Sequence, residues 1–438
     1  MSDLADQNVA DAGIDESVKK LTPERIQSVI MRVLEQENAA RIKVYVDTCL
    51  RCGLCAEACH TYLSRDRDPD YSPVAKVKDT LWVMVKERGR VSQEFLRHAA
   101  RIAFTECGTC RRCSMYCPMG IDIAYLIMTV RRICSLLGVV PKYLQDTTNS
   151  HAVASNQMWV QQDEWIDTLM WQEEDAQAEL AGARIPLDRE GADVMYSVIA
   201  PEPKILAQLI ASAAVIMRAG KVDWTMASFD GWDNSNMGMF SGDFETMGRI
   251  ERLHWEAAAR LRVKRVVMGE CGHAYRGAVY DGPRWLGWRE PPIPMVHAVD
   301  FYHELISSGR IRIARKIEEP VTIQDPCNII RGCGLHEKLR YVVHSLCSDV
   351  REMDPHDEHN FCCAAGGGVI NCGPPWKLSR MKSIRVKAEQ IAATGAKIVI
   401  TPCHNCHSGI EDVLKHYKLK KEVSFISEIL VKGMEKPE

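Results

Sequence analysis

The chain has 438 residues, room for two or three domains around separate cores. Hydrophobic residues make up 46% and charged residues 26%, which excludes a disordered polymer. Fifty-five basic against fifty-eight acidic residues exclude a broad basic surface for nucleic acid, and 18 cysteines in a chain this long exclude a small secreted disulfide scaffold.

Residues 1–40 read as a polar tail followed by an amphipathic helix, TPERIQSVIMRVLEQENAAR, with Thr22 and Pro23 at its start. The first twenty residues lack an apolar stretch, so no secretory signal is expected. The longest near-apolar run, Ile205 to Met217 with Gln208 inside it, is too short to cross a bilayer. The thiols are therefore expected in reducing cytoplasm, where clustered cysteines bind metal or do redox chemistry.

Residues 41–145 carry two cysteine runs, Cys49-x2-Cys52-x2-Cys55-x3-Cys59 and Cys107-x2-Cys110-x2-Cys113-x3-Cys117-Pro118. This is the bacterial ferredoxin spacing for cubane [4Fe–4S] clusters. Three cysteines on a tight turn reach three corners of one cube, and the fourth reaches the other cluster. One cubane is expected on Cys49, Cys52, Cys55 and Cys117, and the second on Cys107, Cys110, Cys113 and Cys59. Gly53 and Gly108 lie in the turns, where a side chain would crowd the cluster. Zinc on CxxC pairs is the alternative, and the doubled 2-2-3 spacing favours iron–sulfur. His60 stands where proline is usual; it either hydrogen-bonds a cluster sulfur or is an exposed helix start, and the exposed helix start is favoured. Between the runs, Ser72 to Ile102 has helical patterning, so the module is expected to be helical.

Residues 146–192 interleave Trp159, Trp165 and Trp171 with a run of acidic residues. Trp159, Ile166 and Met170 fall on one helical face. A linker helix with a solvated acidic face is expected; a docking surface is the sharper alternative.

Residues 193–312 and 313–438 repeat one pattern. YSVIAPEPK matches VTIQDPCN, VKRVVMGECGHA matches AKIVITPCHNCH, and PMVHAVDFYHELISSG matches VSFISEILVKG. Strand-like runs alternate with helical ones, giving βαβ units, parallel sheets and a site at the carboxyl ends of the strands. There the second half places Cys327, Cys362-Cys363 and Cys403-x2-Cys406. Gly366, Gly367 and Gly368 would let backbone pass close to metal or substrate. Cys403 to His407 also spells CxxCH, a haem-attachment signature, which leaves the double cysteine unexplained. In the first half Glu202, Met239 to Gly242, and Cys271-Gly272-His273-Ala274 occupy the matching positions. Glu202, His273 and Arg276 then either serve the site or simply pack. Cys134 and Cys347 read as buried fillers, and Cys333 and Cys372 as possible substrate contacts or spare ligands.

These motifs resemble the cysteine-rich CCG domain of heterodisulfide reductase catalytic subunits, joined to two ferredoxin runs as in the fused D-type subunit and its relatives in the Dsr, Hmc and Tmc membrane redox complexes. The resemblance implies an α+β multidomain chain: a helical two-cluster ferredoxin module, then a duplicated α/β CCG-type domain whose second copy binds a cluster. It implies a catalytic non-cubane [4Fe–4S] cluster on Cys327, Cys362, Cys363, Cys403 and Cys406. This cluster would reduce or form a disulfide or trisulfide on a small sulfur-carrier protein or a thiol pair. It implies partners as well: a membrane cytochrome b-type or quinone-reactive subunit, with cytochrome c and ferredoxin-like subunits, holding the chain on the inner face of the cell membrane. Ala364 departs from the family's glycine after the double cysteine. Iron–sulfur relays of flavin-dependent 2-hydroxyacid and glycerol-3-phosphate dehydrogenases share the plan and give the second reading, although they usually keep two full CCG halves. No GxGxxG fingerprint occurs, so no flavin or nicotinamide site is expected on this chain.

Overall fold

Regular apolar spacing at i, i+3 and i+4 makes the first third of the protein helical. The computed structural model describes residues 9–36, 39–199 and 201–437. From Ala12–Lys19 to Lys142–Ala154 the described elements are all helical. Helices start where side chains satisfy free amides: Ser72 accepts from Ala75, Ser92 from Phe95 and Asp122 from Tyr125. Gln93–Thr105 and Ile123–Leu136 form the centre of this module, burying Leu96, Ala100, Phe104, Ile127, Val130 and Ile133.

The expected polar tail is a folded helix from Ala12 onward. Asp11 caps it through Gly13 and Ile14. The same buried carboxylate accepts from the Lys142 amide at 2.9 Å and the Trp376 indole N–H at 2.8 Å. A buried acid needs such partners, and those of Asp11 lie far away in the chain, beyond the reach of composition.

The acidic tryptophan segment contains the helix Gln162–Glu179, but its buried face is Trp165, Leu169, Gln172 and Ala176. Trp159 precedes the helix, and Trp159, Met170 and Trp171 are exposed. The expected face is therefore incorrect. Trp165 decides the rotation: its ring stacks on Trp232 at 4.5 Å, and its indole N–H donates to the Ala227 carbonyl.

Two parallel sheets follow. The first holds β1 (Val194–Ser197), β2 (Trp224–Thr225), β3 (Arg265–Met268) and β4 (Met295–His297) in the order β2-β1-β3-β4. The second holds β5 (Val321–Ile323), β6 (Ile398–Ile400) and β7 (Glu422–Ser424) in sequence order. Every strand pairing within both sheets is parallel, and β1-β3-β4 repeats the order β5-β6-β7. The mixed helix–sheet class and parallel sheets expected from the repeat are present. One apolar core runs through both halves, from Val194, Val266 and Val267 to Ile323, Ile400 and Phe425. Phe240, Met237, Cys372 and Trp376 instead join the core of the helical module, so both halves are clamped against it.

Candidate functional site

The first cysteine run enters its turn through Gly53, whose φ is 81°. A side chain there would strain the backbone; the left-handed turn, rather than crowding, calls for the glycine. Cys49, Cys52, Cys55 and Cys117 border one cavity of about 60 Å3. Cys59, Cys107, Cys110 and Cys113 border another of about 30 Å3. The fourth cysteine of each run thus lies beside the other run's turn. Burial, with the neighbouring sulfurs adding to it, pushes the Cys55 thiol up to about 11. A cation would relieve that crowding.

Buried cations stand around the second set. Lys76 donates to the Glu106 carbonyl at 2.6 Å. Burial works against its charge, but Cys59, Cys107 and Glu106 outweigh it and hold the ammonium protonated. Arg131 is fully buried. It donates to the carbonyls of Ala103, Cys107 and Phe240 at 2.8–2.9 Å, and to that of Gly367. One guanidinium thus ties the ferredoxin module to both α/β halves. Sequence reasoning passed over Arg131, although a charged pair inside the apolar helix Ile123–Leu136 was a visible signal.

The late cysteines gather at strand ends. Cys327 follows β5, Cys403 caps the helix His404–His416 after β6, and Cys271 caps Gly272–Arg276 after β3. A helix start favours thiolate. A string of neighbouring sulfurs runs Cys110–Cys362–Cys363–Cys406–Cys403–Cys271. It begins in the ferredoxin module, passes through the double cysteine and the CxxC, and ends in the first α/β half. Cys327 faces Cys110, Cys363 and Cys403, and burial pushes its thiol up to about 12. All these cysteines are free thiols. An all-sulfur donor set of this size suits iron–sulfur rather than hard oxygen-seeking cations, so the residues present fit such a cluster.

His60 is buried, not exposed, and its ring groups with Cys110 and Cys362. The helix it starts, His60–Ser64, is turned inward because Cys59, its cap, belongs to the second thiol set. Gly108 approaches the double cysteine: a Cβ there would lie 3.3 Å from the Gly366 carbonyl and 3.6 Å from Cys362 Sγ. The glycine run meets His273 and the Gly108 turn; a Cβ on Gly366 would lie 2.4 Å from the His273 ring.

His273 groups with Cys271 and Cys403, all three buried. Glu202 is buried against the Tyr196 hydroxyl at 3.2 Å, and burial pushes its carboxyl well up. Arg276 donates to Asn328, next to Cys327, at 3.2 Å. Cys134 and Cys347 are buried as fillers. Cys372 packs on the Phe104 and Gly368 carbonyls, away from the thiol string, whereas Cys333 lies near Arg276 and Arg111. His407 of the CxxCH stacks flat on Phe425 at 4.3 Å. Two cationic side chains, half-buried Arg331 and buried Lys387, went unremarked in the sequence. Arg331 donates to the Cys110 carbonyl at 2.9 Å. Lys387, pushed down to about 7 by burial, donates to Asn360.

Comparison with known families fits this geometry. A 4Fe-4S dicluster domain matches residues 45–121 and a cysteine-rich CCG domain residues 321–411. The chain is an iron–sulfur protein of the [4Fe–4S] class. It is 25% identical to an Hdr-like menaquinol oxidoreductase iron-sulfur subunit of Archaeoglobus profundus, covering 92% of this chain and 82% of the relative. It is 26% identical to the D-type subunit of a dihydromethanophenazine:CoB–CoM heterodisulfide reductase of Methanosarcina acetivorans, covering 92% and 97%. An EtfAB:quinone oxidoreductase of Syntrophomonas wolfei is 21% identical over 89% of this chain and 58% of its own length. The chain is similar to heterodisulfide reductase D-type subunits over most of its length, with an N-terminal ferredoxin domain and a C-terminal CCG domain.

Proposed function

We propose that this protein is the iron–sulfur subunit of a membrane-associated Hdr-like oxidoreductase, moving electrons through two cubane clusters to a five-thiol site that reduces or forms a disulfide or trisulfide. Cys49, Cys52, Cys55 and Cys117 hold the outer cubane. Cys59, Cys107, Cys110 and Cys113 hold the inner one. Cys327, Cys362, Cys363, Cys403 and Cys406 hold a non-cubane [4Fe–4S] cluster. The observation that carries this reading is the contact between Cys110 and Cys362, which leaves no insulating layer between relay and site.

Splitting an S–S bond takes two electrons, and a cubane held by either cysteine set would supply them one at a time. The non-cubane cluster, when bound, supplies a coordination position and a redox partner for sulfur between the two steps. The chain's own groups provide the surroundings. Lys76 and Arg131 place buried positive charge, and Arg331 half-buried charge, beside the thiols of the path, which favours arrival of an electron. Five thiols at the sheet's carboxyl edge, in place of oxygen or nitrogen bases, restrict the site to soft sulfur chemistry.

Among the described residues no helix is long and apolar enough to cross a membrane. A cytochrome b-type or quinone-reactive partner holds the protein at the inner face of the cell membrane, with cytochrome c or ferredoxin-like subunits completing the chain of carriers. The sulfur substrate is carried on a small protein or is a free thiol pair.

The test is EPR of the oxidised holoprotein with and without 2-mercaptoethanol. A paramagnetic signal should appear with thiol and vanish in Cys362→Ala, with about twelve irons per chain in the wild type. About eight irons and no thiol-dependent signal would leave a relay only. The likeness to an EtfAB:quinone oxidoreductase makes that relay, serving a flavin-bearing partner, the second reading.

A further inference from the structure

The first α/β half keeps one cysteine at its strand ends. In the repeat Cys271 corresponds to Cys403, Ala274 to Cys406 and Glu202 to Cys327. The structure lays that one sulfur against the site of the other half. The two strand ends are laced together, because the His404 amide donates to the Glu270 carbonyl at 2.9 Å. The Glu270 carboxylate in turn accepts from the Ile426 and Ser427 amides at 2.9 and 2.7 Å. These bonds hold the residue before Cys271 against the residue after Cys403. Gly272 continues the approach. A Cβ there would lie 3.1 Å from Ile329 Cγ2 and 3.2 Å from Asn328 Cβ, in the short helix that Cys327 starts.

The result is Cys271 Sγ, Cys403 Sγ and a ring nitrogen of His273 within 4.8 Å of one another, all buried. A metal–thiolate bond is about 2.3 Å long, so two thiolates on one centre lie up to about 4.6 Å apart, the scale seen here. A cysteine that only fills space needs apolar contact and nothing more. Cys271 Sγ accepts a hydrogen bond from the Ala274 amide at 3.3 Å, which favours thiolate. His273 points the same way independently. Its Nε2 accepts from the Gly367 amide at 3.0 Å, so the ring proton of the neutral imidazole is on Nδ1. That Nδ1 is buried and makes no hydrogen bond among the described residues. A buried N–H left unpaired is costly, and a cluster sulfur beside Cys403 supplies the acceptor.

We propose that Cys271 is a sixth thiolate ligand of the second half's iron–sulfur cluster, supplied by the first half. The proposal rests on the function given above and adds a ligand from outside the matched cysteine-rich domain at residues 321–411. Ligation forms one Sγ–Fe bond and breaks one S–H bond. The proton leaves to solvent, and no electron moves in that step. The first half is then part of the metal site and not a scaffold alone, and the metal joins the two halves where the Glu270 contacts already bring them together.

Iron release and EPR on the holoprotein test this. Wild type, Cys271→Ala, Cys271→Ser and Cys134→Ala are compared for iron content, for release of iron to a ferrous chelator, and for the signal that appears with 2-mercaptoethanol. In Cys271→Ala about four of the roughly twelve irons should leave about tenfold faster than in wild type, and the g values of the thiol-dependent signal should shift. Cys271→Ser, which offers an oxygen ligand, should keep its iron, release it at an intermediate rate and show g values of its own. Cys134→Ala removes a buried filler thiol and should match wild type in both readouts. Wild-type release and wild-type g values in both Cys271 variants overturn the proposal and leave the five-thiol cluster standing. Faster release with unchanged g values assigns Cys271 to packing and overturns it as well. About eight irons in the wild type, with no thiol-dependent signal, overturn the cluster reading itself and the sixth ligand with it.

Discussion

The Gly367 amide donates to Nε2 of His273 at 3.0 Å, fastening the second α/β half to the first at the edge of the thiol site. The glycine run is tight against the ring, since a Cβ on Gly366 would lie 2.4 Å from it. His273→Ala should therefore cost roughly 1–3 kcal/mol by leaving a buried amide unpaired. Gly366→Ala should also destabilise, but by less in the His273→Ala background, where the clash is gone. A double-mutant cycle in denaturant reads this coupling; additive effects would show that the two do not meet in solution.

Arg131 is the other cross-module fastening. Arg131→Met should destabilise by about 3 kcal/mol or more, because four buried carbonyls lose a charged donor. Removing the cation beside Cys107 should also lower the midpoint potential of the inner cubane. A redox titration followed by EPR checks the second point, and an unchanged potential would restrict Arg131 to packing.

Ala364 occupies a left-handed backbone conformation, φ 52°, where glycine is the easier residue. The torsion costs roughly 1 kcal/mol, and burying the methyl against Met381, Ile384 and Val413 returns about 0.8 kcal/mol. Ala364→Gly should change stability by less than about 1 kcal/mol and leave iron content intact. Loss of iron would mean that this position shapes the cluster directly.

Glu251 and Glu270 give the protein an acid-side preference. Burial pushes each carboxyl from 4.5 up to about 7, so the folded state holds these protons more tightly than the unfolded chain. Their stabilisation is complete below about 4.5, falls as pH rises through 7, and amounts to on the order of 3 kcal/mol for each. Glu270→Gln, which keeps an acceptor for one of the two amides, Ile426 and Ser427, that donate to the separate carboxylate oxygens, should flatten that decline. Denaturation midpoints at about pH 5 and about pH 8, compared between wild type and variant, provide the measurement.

Much of this was legible in the chain. The two 2-2-3 runs act over single turns, so local spacing alone brings three sulfurs of each run to one turn. The alternation of strand and helix patterns foretold two parallel sheets of like order, because apolar runs too short to stand alone must be buried between helices. The acidic tryptophan helix was misread because Trp165, an indole with one N–H to satisfy, follows a long-range carbonyl rather than the apolar count along its own helix.

What the sequence by itself determined is the chemistry available: thirteen motif cysteines in three sets, each grouped by turns or strand ends that neighbouring residues dictate. What only the tertiary structure decided is the joining of those sets: Cys110 against Cys362, Cys271 against Cys403, His60 turned inward, and Arg131 between three modules. Those contacts link residues far apart in the chain, and no local rule of period or propensity specifies them. They follow from packing three modules together while every buried charge and amide finds a partner.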